Sequence, residues 1–252
     1  MAHKNIKFGS SVFQYCFSLE KISIPSVITE IGDYAFSNCR SMHHITIPSS
    51  VLTIGKFSFY KCVSITTITL PSSLTTIGDY CFYCCSSIKK IVIPSSVTYL
   101  GEGSFNSCTS LQEINIPSSI KKIKNQTFSS TAIKKIEIPS SITEIGEYAF
   151  SYCKNLKNIN IPSSVIKIGK YAFSDCYSIK ELEIPPSITS ISNGCFIRCK
   201  NLRKVELPDT LMSIEDQAFV QCNKLNKIEI PKSVTKLKKD CFSPDTKIIK
   251  MK

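Results

Sequence analysis

Ten prolines, Pro25, Pro48, Pro71, Pro94, Pro117, Pro139, Pro162, Pro185, Pro208 and Pro231, recur along this chain at nearly constant spacing: of the nine intervals, eight are twenty-three positions long and one is twenty-two. Eleven phenylalanines from Phe13 to Phe242 keep the same period, with their single shortened step between Phe128 and Phe150. The two ladders place one deletion within Ser129–Ala132. A fixed period this short means one structural unit copied along an axis. A unit of that size cannot bury its own apolar set, but stacked copies build a continuous apolar column.

Aligned on these marks, each unit reads L-x-x-I-x-I-P-S-S-V-T-x-I-G-x-Y-A-F-S-x-C, as in the unit that opens with Leu111–Pro117. The I-x-I step has period two, so alternate side chains of a short strand point inward, and the proline after it cannot donate a ladder hydrogen bond and ends the strand. Gly9, Gly32, Gly55, Gly78, Gly101, Gly146 and Gly169 stand four positions before the phenylalanine, where a conformation costly for a residue with Cβ is expected. Lys124, Ser192, Glu215 and Lys238 take that place elsewhere, so glycine there is a preference. The A-F-S-x-C segment predicts a short helical or 3₁₀ turn that carries the phenylalanine inward. No segment has the periodicity of a substantial amphipathic helix.

The motif resembles the BspA-like, or treponemal-type, subfamily of leucine-rich repeats, over roughly residues 8–252. The resemblance implies an α/β-class, β-dominated leucine-rich-repeat solenoid: a right-handed arc with a concave parallel β-sheet and short 3₁₀ or helical turns on the outer side. It also implies a non-catalytic protein of the protein-binding or adhesive kind, often found at the surface of bacteria or parasitic protists. The expected organisation is a single repeat domain over 1–252, with about ten complete units and partial units at both ends.

Nine cysteines, from Cys16 to Cys222, lie three positions after a ladder phenylalanine, and Cys81, Cys195 and Cys241 take the small slot just before it. Ala35, Ala149, Ala172 and Ala218 fill that slot elsewhere, so these cysteines read as small buried hydrophobes rather than as a disulfide framework. The rival reading is a metal or redox site at Cys81–Cys85, which contains a C-x-x-C. It lacks a second such pair, and the only histidines are His3, His43 and His44. No phosphate-loop, dinucleotide, zinc-protease or nucleophile-elbow motif occurs, so no cofactor, metal, small-molecule substrate or catalytic residue is expected. Asn125–Thr127 is one N-glycosylation tripeptide, expected to be unused without an export signal.

With the isoleucines of I-x-I facing inward, the residues before and between them face a partner. The position between gives Ser23, Thr46, Thr69, Val92 and Asn115, then Glu137, Asn160, Glu183, Glu206 and Glu229: neutral first, acidic later. At the strand entrance Lys134, Lys157, Lys180 and Arg203 form a basic row, and the next position contributes Glu181, Lys204 and Lys227. The stripe from Lys134 to Glu229 is the candidate docking surface, with Thr46, Thr69 and Val92 as a competing neutral footprint. The plainer alternative is mutual neutralisation, through pairs such as Lys135–Glu137, Lys204–Glu206 and Lys227–Glu229.

A net charge of +12 would suit an acidic partner, but it is spread: residues 1–126 carry 11 basic and 6 acidic side chains, and 127–252 carry 20 and 13. Nucleic acid is disfavoured, because the expected sheet face has no interleaved aromatics on which bases could stack. No transmembrane segment and no signal peptide are legible, which leaves cytoplasm and cell surface both open. The first strand, entered through Asn5, Phe8 and Phe13, is expected to offer an edge for end-to-end self-association, whereas lysines guard the last strand, Lys247–Lys252. The function expected is a protein-binding scaffold or adhesin. An intracellular adaptor and an anionic-surface or nucleic-acid binder are the alternatives.

Overall fold

The computed structural model describes residues 6–251. Asn5, His3 and Lys252 lie outside the described residues. The chain divides into two compact units, residues 1–120 and 121–252.

Most coils contribute two short strands, where one was expected. The I-x-I strand precedes the proline; a second, over T-x-I, comes after it. In unit 1–120 the post-proline strands Lys7–Phe8, Glu30–Ile31, Thr53–Ile54, Thr76–Ile77 and Tyr99–Leu100 form one five-stranded parallel sheet. The pre-proline strands pair as His44–Thr46 with Thr67–Thr69 and as Lys90–Ile91 with Glu113–Ile114. Ile22–Ile24 carries no regular strand, so the first strand edge among the described residues is Lys7–Phe8, paired to Glu30–Ile31.

In unit 121–252 the post-proline strands make two three-stranded parallel sheets, Lys122–Ile123 to Lys167–Ile168 and Ser190–Ile191 to Lys236–Leu237. Glu181–Glu183 pairs with Lys204–Glu206, and Lys227–Ile230 with Lys247–Lys250. At the short coil the pre-proline ladder shrinks to a single bridge, Lys135 to Asn158. The register step from Lys122 to Glu144 is one position shorter than the step from Lys135 to Asn158, and Thr131 still pairs with Cys153 by the shorter step. The deletion therefore lies between Thr131 and Lys135, overlapping the end of the expected interval. Thr131 occupies the cysteine slot there, 3.2 Å from Cys153 Sγ.

The proline and the second of its two serines each have a structural task. The proline carbonyl accepts the bond that closes a tight turn, Val51 N–H to Pro48 at 3.0 Å. The second serine bonds the neighbouring coil, as Ser50 Oγ to Ile28 O at 2.6 Å and Ser187 Oγ to Val165 O at 2.6 Å.

The segment around the phenylalanine is not helical. Its N–H groups alternate in destination: Ala35, Ser37 and Cys39 donate within their own coil to Gly32, Tyr34 and Phe36. Tyr34, Phe36 and Asn38 donate to Lys56, Ser58 and Tyr60 of the next coil, at 2.7–2.9 Å. A helix would consume the groups that stacking requires, so the chain forms successive β-turns. The left-handed residues fall two and six places beyond the glycine slot, at Tyr34 (φ 58°) and Asn38 (φ 63°). The glycine is kept for another reason. A Cβ on Gly78 would sit 2.5 Å from the Gly55 carbonyl carbon and 2.6 Å from Lys56 N. The expected conformational demand at this slot is thus a demand for close approach between coils.

Phe36, Phe59, Phe82 and Phe105 are fully buried and stack at 5.3–5.4 Å between ring centroids. Phe128 to Phe242 repeat the column in the second unit, with spacings of 5.3–5.5 Å. The spacing follows from the inter-strand distance of about 4.8 Å, which holds identical side chains one above another. In-register parallel stacking is the event that turns the sequence period into a β-dominated repeat solenoid.

Candidate functional site

The pre-proline strands expose alternate residues as their period requires. In His44–Thr46, Thr67–Thr69, Glu181–Glu183 and Lys204–Glu206 the central residue is buried and its two neighbours are exposed. Thr46 and Thr69 are register partners on the first unit, and Val92 comes directly after the strand Lys90–Ile91 with 61% of its surface exposed. A groove of about 420 Å³ lies at the start of this face, lined by Lys21–Ile24, His44–Thr46 and Pro48.

In the second unit the register sets Glu181 beside Lys204 and Glu183 beside Glu206. Lys135 and Glu137 meet at 3.2 Å, Lys227 and Glu229 at 3.9 Å, and Lys204 bonds Glu206. Arg203 reaches across one coil to Glu181 at 2.8 Å. The Glu206 carboxylate raises the Lys204 pKa above its ordinary value. All four pairs are solvent-exposed and individually weak. Glu183, Lys134, Lys157 and Lys180 join none of the ion pairs found among the described residues. The rows thus neutralise each other only in part. A groove of about 390 Å³, lined by Arg203–Leu207, Asp209, Lys227–Glu229 and Met251, crosses the paired strands at the far end.

Sequence reasoning places these residues on the exposed face, Glu137 and Asn160 included, although those two flank an isolated bridge instead of standing on strands. It misses the cross-coil pair Arg203–Glu181, whose separation of one coil is legible only once the register is known.

The cysteine column faces inward. Cys39, Cys62, Cys85 and Cys108 are buried and donate to the carbonyl of the phenylalanine one coil back, at 3.0–3.2 Å. Cys153, Cys176, Cys199 and Cys222 repeat the contact in the second unit at 3.2–3.3 Å. Burial pushes these thiols up, to about 12 for Cys39 and Cys222 and about 11 for Cys153. Such thiols are poor nucleophiles and poor metal ligands. In the C-x-x-C, Cys81 is fully buried and Cys84 half-buried, and the adjoining Cys85 is fully buried. Among the described residues no three His, Cys, Asp or Glu side chains gather as a metal site, and no helix is long and apolar enough to cross a membrane.

The coil geometry has counterparts. A leucine-rich repeat protein from Bacteroides ovatus is 26% identical, with a TM-score of 0.71 over 97% of this chain and 78% of that one. A leucine rich cell surface protein from Faecalibacterium prausnitzii is 28% identical, with a TM-score of 0.59 over 98% and 83%. The T. pallidum leucine rich repeat protein is 29% identical, with a TM-score of 0.54 over 69% and 71%. No curated protein matches the chain. The family description "BspA type leucine rich repeat region" matches residues 6–134 and 121–249, the same stretch over which the proline, phenylalanine and cysteine columns stack. A repeat scaffold of that period, with its apolar columns shared between coils and its strand residues left to solvent, belongs to the BspA-type leucine-rich-repeat family.

Proposed function

We propose that this chain is a non-catalytic protein-binding scaffold of the adhesin kind, acting as one repeat domain, whose partner docks on the exposed face of the pre-proline strands. The observation that carries this reading is the partly uncompensated charge on that face in residues 134–229. Glu183 and Glu206 stand side by side in register, flanked by Lys157 and Lys180 without ion-pair partners among the described residues. Parallel strands repeat a charge about every 4.8 Å, so uncancelled charges sum into a field that steers a complementary segment. The surface setting draws on the F. prausnitzii protein, described as a leucine rich cell surface protein.

The test places a photo-crosslinking residue at Glu183 and, as control, at Ile166, which is exposed ahead of a post-proline strand. A partner protein should be captured from position 183 alone, and the E183K/E206K/E229K variant should lose it. Equal capture from both positions, or binding unchanged by the triple reversal, refutes the reading. Capture that instead fails on T46K/T69K/V92K moves the footprint to the neutral strip of unit 1–120. Labelling of intact cells separates an adhesin from an intracellular adaptor.

A further inference from the structure

Between the turn ladder and the pre-proline strand, each coil crosses a short corner. In the second unit three successive corners are Tyr152–Lys157, Asp175–Lys180 and Arg198–Arg203. They hold six cations, and Asp175 is their one acid. The corresponding corners 38–43, 61–66 and 84–89 of the first unit hold three Lys or Arg. Asp175 adds nothing to the surface: its side chain is 2% exposed, it takes Arg198 Nε and an Nη at 2.7 Å each, and it accepts the Tyr177 hydroxyl at 3.1 Å. Arg203 is shared with Glu181. Lys154, Lys157, Lys180 and Lys200 are exposed and join no ion pair found among the described residues.

The four cations stand on a rigid base. Ser178 Oγ bonds Lys154 O at 2.7 Å, Asn201 Nδ2 bonds Tyr177 O at 2.8 Å, and Arg203 N–H bonds Lys180 O at 2.9 Å. Coil therefore follows coil at the strand spacing, and the cations form two short parallel rows, Lys154 with Lys200 and Lys157 with Lys180. Lys154 from the coil before and Lys200 from the coil after lie over the Tyr177 ring, at 5.7 and 4.7 Å from its centroid. The ring holds both ammonium groups in place without neutralising them.

We propose that this corner binds a linear sulfated polysaccharide. Rows of fixed, uncompensated cations match a linear polyanion. Cations lie over the Tyr177 ring from both neighbouring coils, and Lys154 also lies 5.9 Å over the exposed Tyr152 ring, so a base would have to displace a cation from either ring, which counts against single-stranded nucleic acid. The aliphatic residues of the corner, Leu156, Ile179 and Leu202, are fully buried, so none can enter a bilayer. Exposed Asn155 and half-buried Ser178 supply polar contacts for sugar hydroxyls. The site is independent of the acidic strand face, although Lys157 and Lys180 border both.

The test is titration of the whole chain with a heparin dodecasaccharide across a salt series. Four lysine contacts, at the log–log slope of about −0.7 to −0.9 per contact that nucleic-acid polyanions show, correspond to a loss of about 50- to 150-fold in affinity between about 0.05 and 0.2 M salt. K154Q/K157Q/K180Q/K200Q should abolish binding with an unchanged circular dichroism spectrum, while E183K/E206K/E229K should not weaken it. Completely desulfated heparin should fail to bind. Absence of heparin binding to the wild type at the lowest salt of the series overturns the proposal, as does a quadruple variant that binds normally. Tighter binding of oligo(dT) of equal charge, or of phosphatidylserine vesicles, would assign the corner to nucleic acid or membrane and equally overturn it.

Discussion

Removing Arg198 should destabilise the protein far more than neutralising its partner. The Asp175 side chain is 2% exposed and that of Arg198 is 37% exposed, with two hydrogen bonds of 2.7 Å between them. In R198Q the carboxylate stays buried with the Tyr177 hydroxyl as its remaining strong donor, a situation that costs about 3–5 kcal/mol. In D175N the guanidinium can turn to water, and an asparagine fits: Asn38 occupies the same slot, buried, in the same left-handed region. That change should cost about 1.5 kcal/mol, the low end for a hydrogen bond to a charged group, because water solvates the freed guanidinium. Both replacements tolerate the backbone, since Gln217 and Gln221 also have φ of 59°, as do Asp175 and Arg198. The double variant should cost about 1–2 kcal/mol, giving a coupling of roughly 3–5 kcal/mol between the two positions. Urea melts of the four proteins measure it, urea being chosen because guanidinium would screen the pair. If R198Q costs no more than D175N, the buried carboxylate does not depend on Arg198 and the electrostatic account of this corner is wrong.

Phe173 is fully buried between Phe150 and Phe196, at 5.3 and 5.5 Å, so F173A should cost about 3–5 kcal/mol by urea melt. Y148A, which removes a ring 40% exposed with one stacked neighbour at 5.0 Å, should cost about 1 kcal/mol; equal losses would contradict the column as the source of stability. Burial keeps the Cys153 thiol protonated to about pH 11 in the folded chain, while an unfolded thiol ionises near about 8.5. Its contribution is therefore complete below pH about 8.5 and shrinks by about 1.4 kcal/mol per unit as pH rises toward 11. C153T, which copies Thr131 of the same slot, should flatten the alkaline stability slope by that share under reducing conditions; an unchanged slope rejects it.

The repeat, the inward columns and the exposed strand positions are legible in the residues because each depends on local period alone. Ile45 at 3% exposure and Ile47 at 4%, with Thr46 exposed between them, follow from alternation. Cys81 and Ala35, both fully buried, follow from their interchange in one slot. The second strand is not legible, because T-x-I is too short to show alternation and is fixed by its register partner in the next coil. The role of Gly78 is hidden for the same reason: its constraint comes from Gly55, one coil away, and leaves no mark on its own φ.

The amino-acid sequence determined that this chain stacks copies of one coil and which side chains go inside. Tertiary structure alone decided which charges cancel between coils. Arg203 finds Glu181, Arg198 finds Asp175, and Lys154 and Lys200 converge on Tyr177 across coil boundaries. Coulomb and cation–π interactions act through distances of a few ångströms, and those distances exist only after positions one full coil apart have been brought into register.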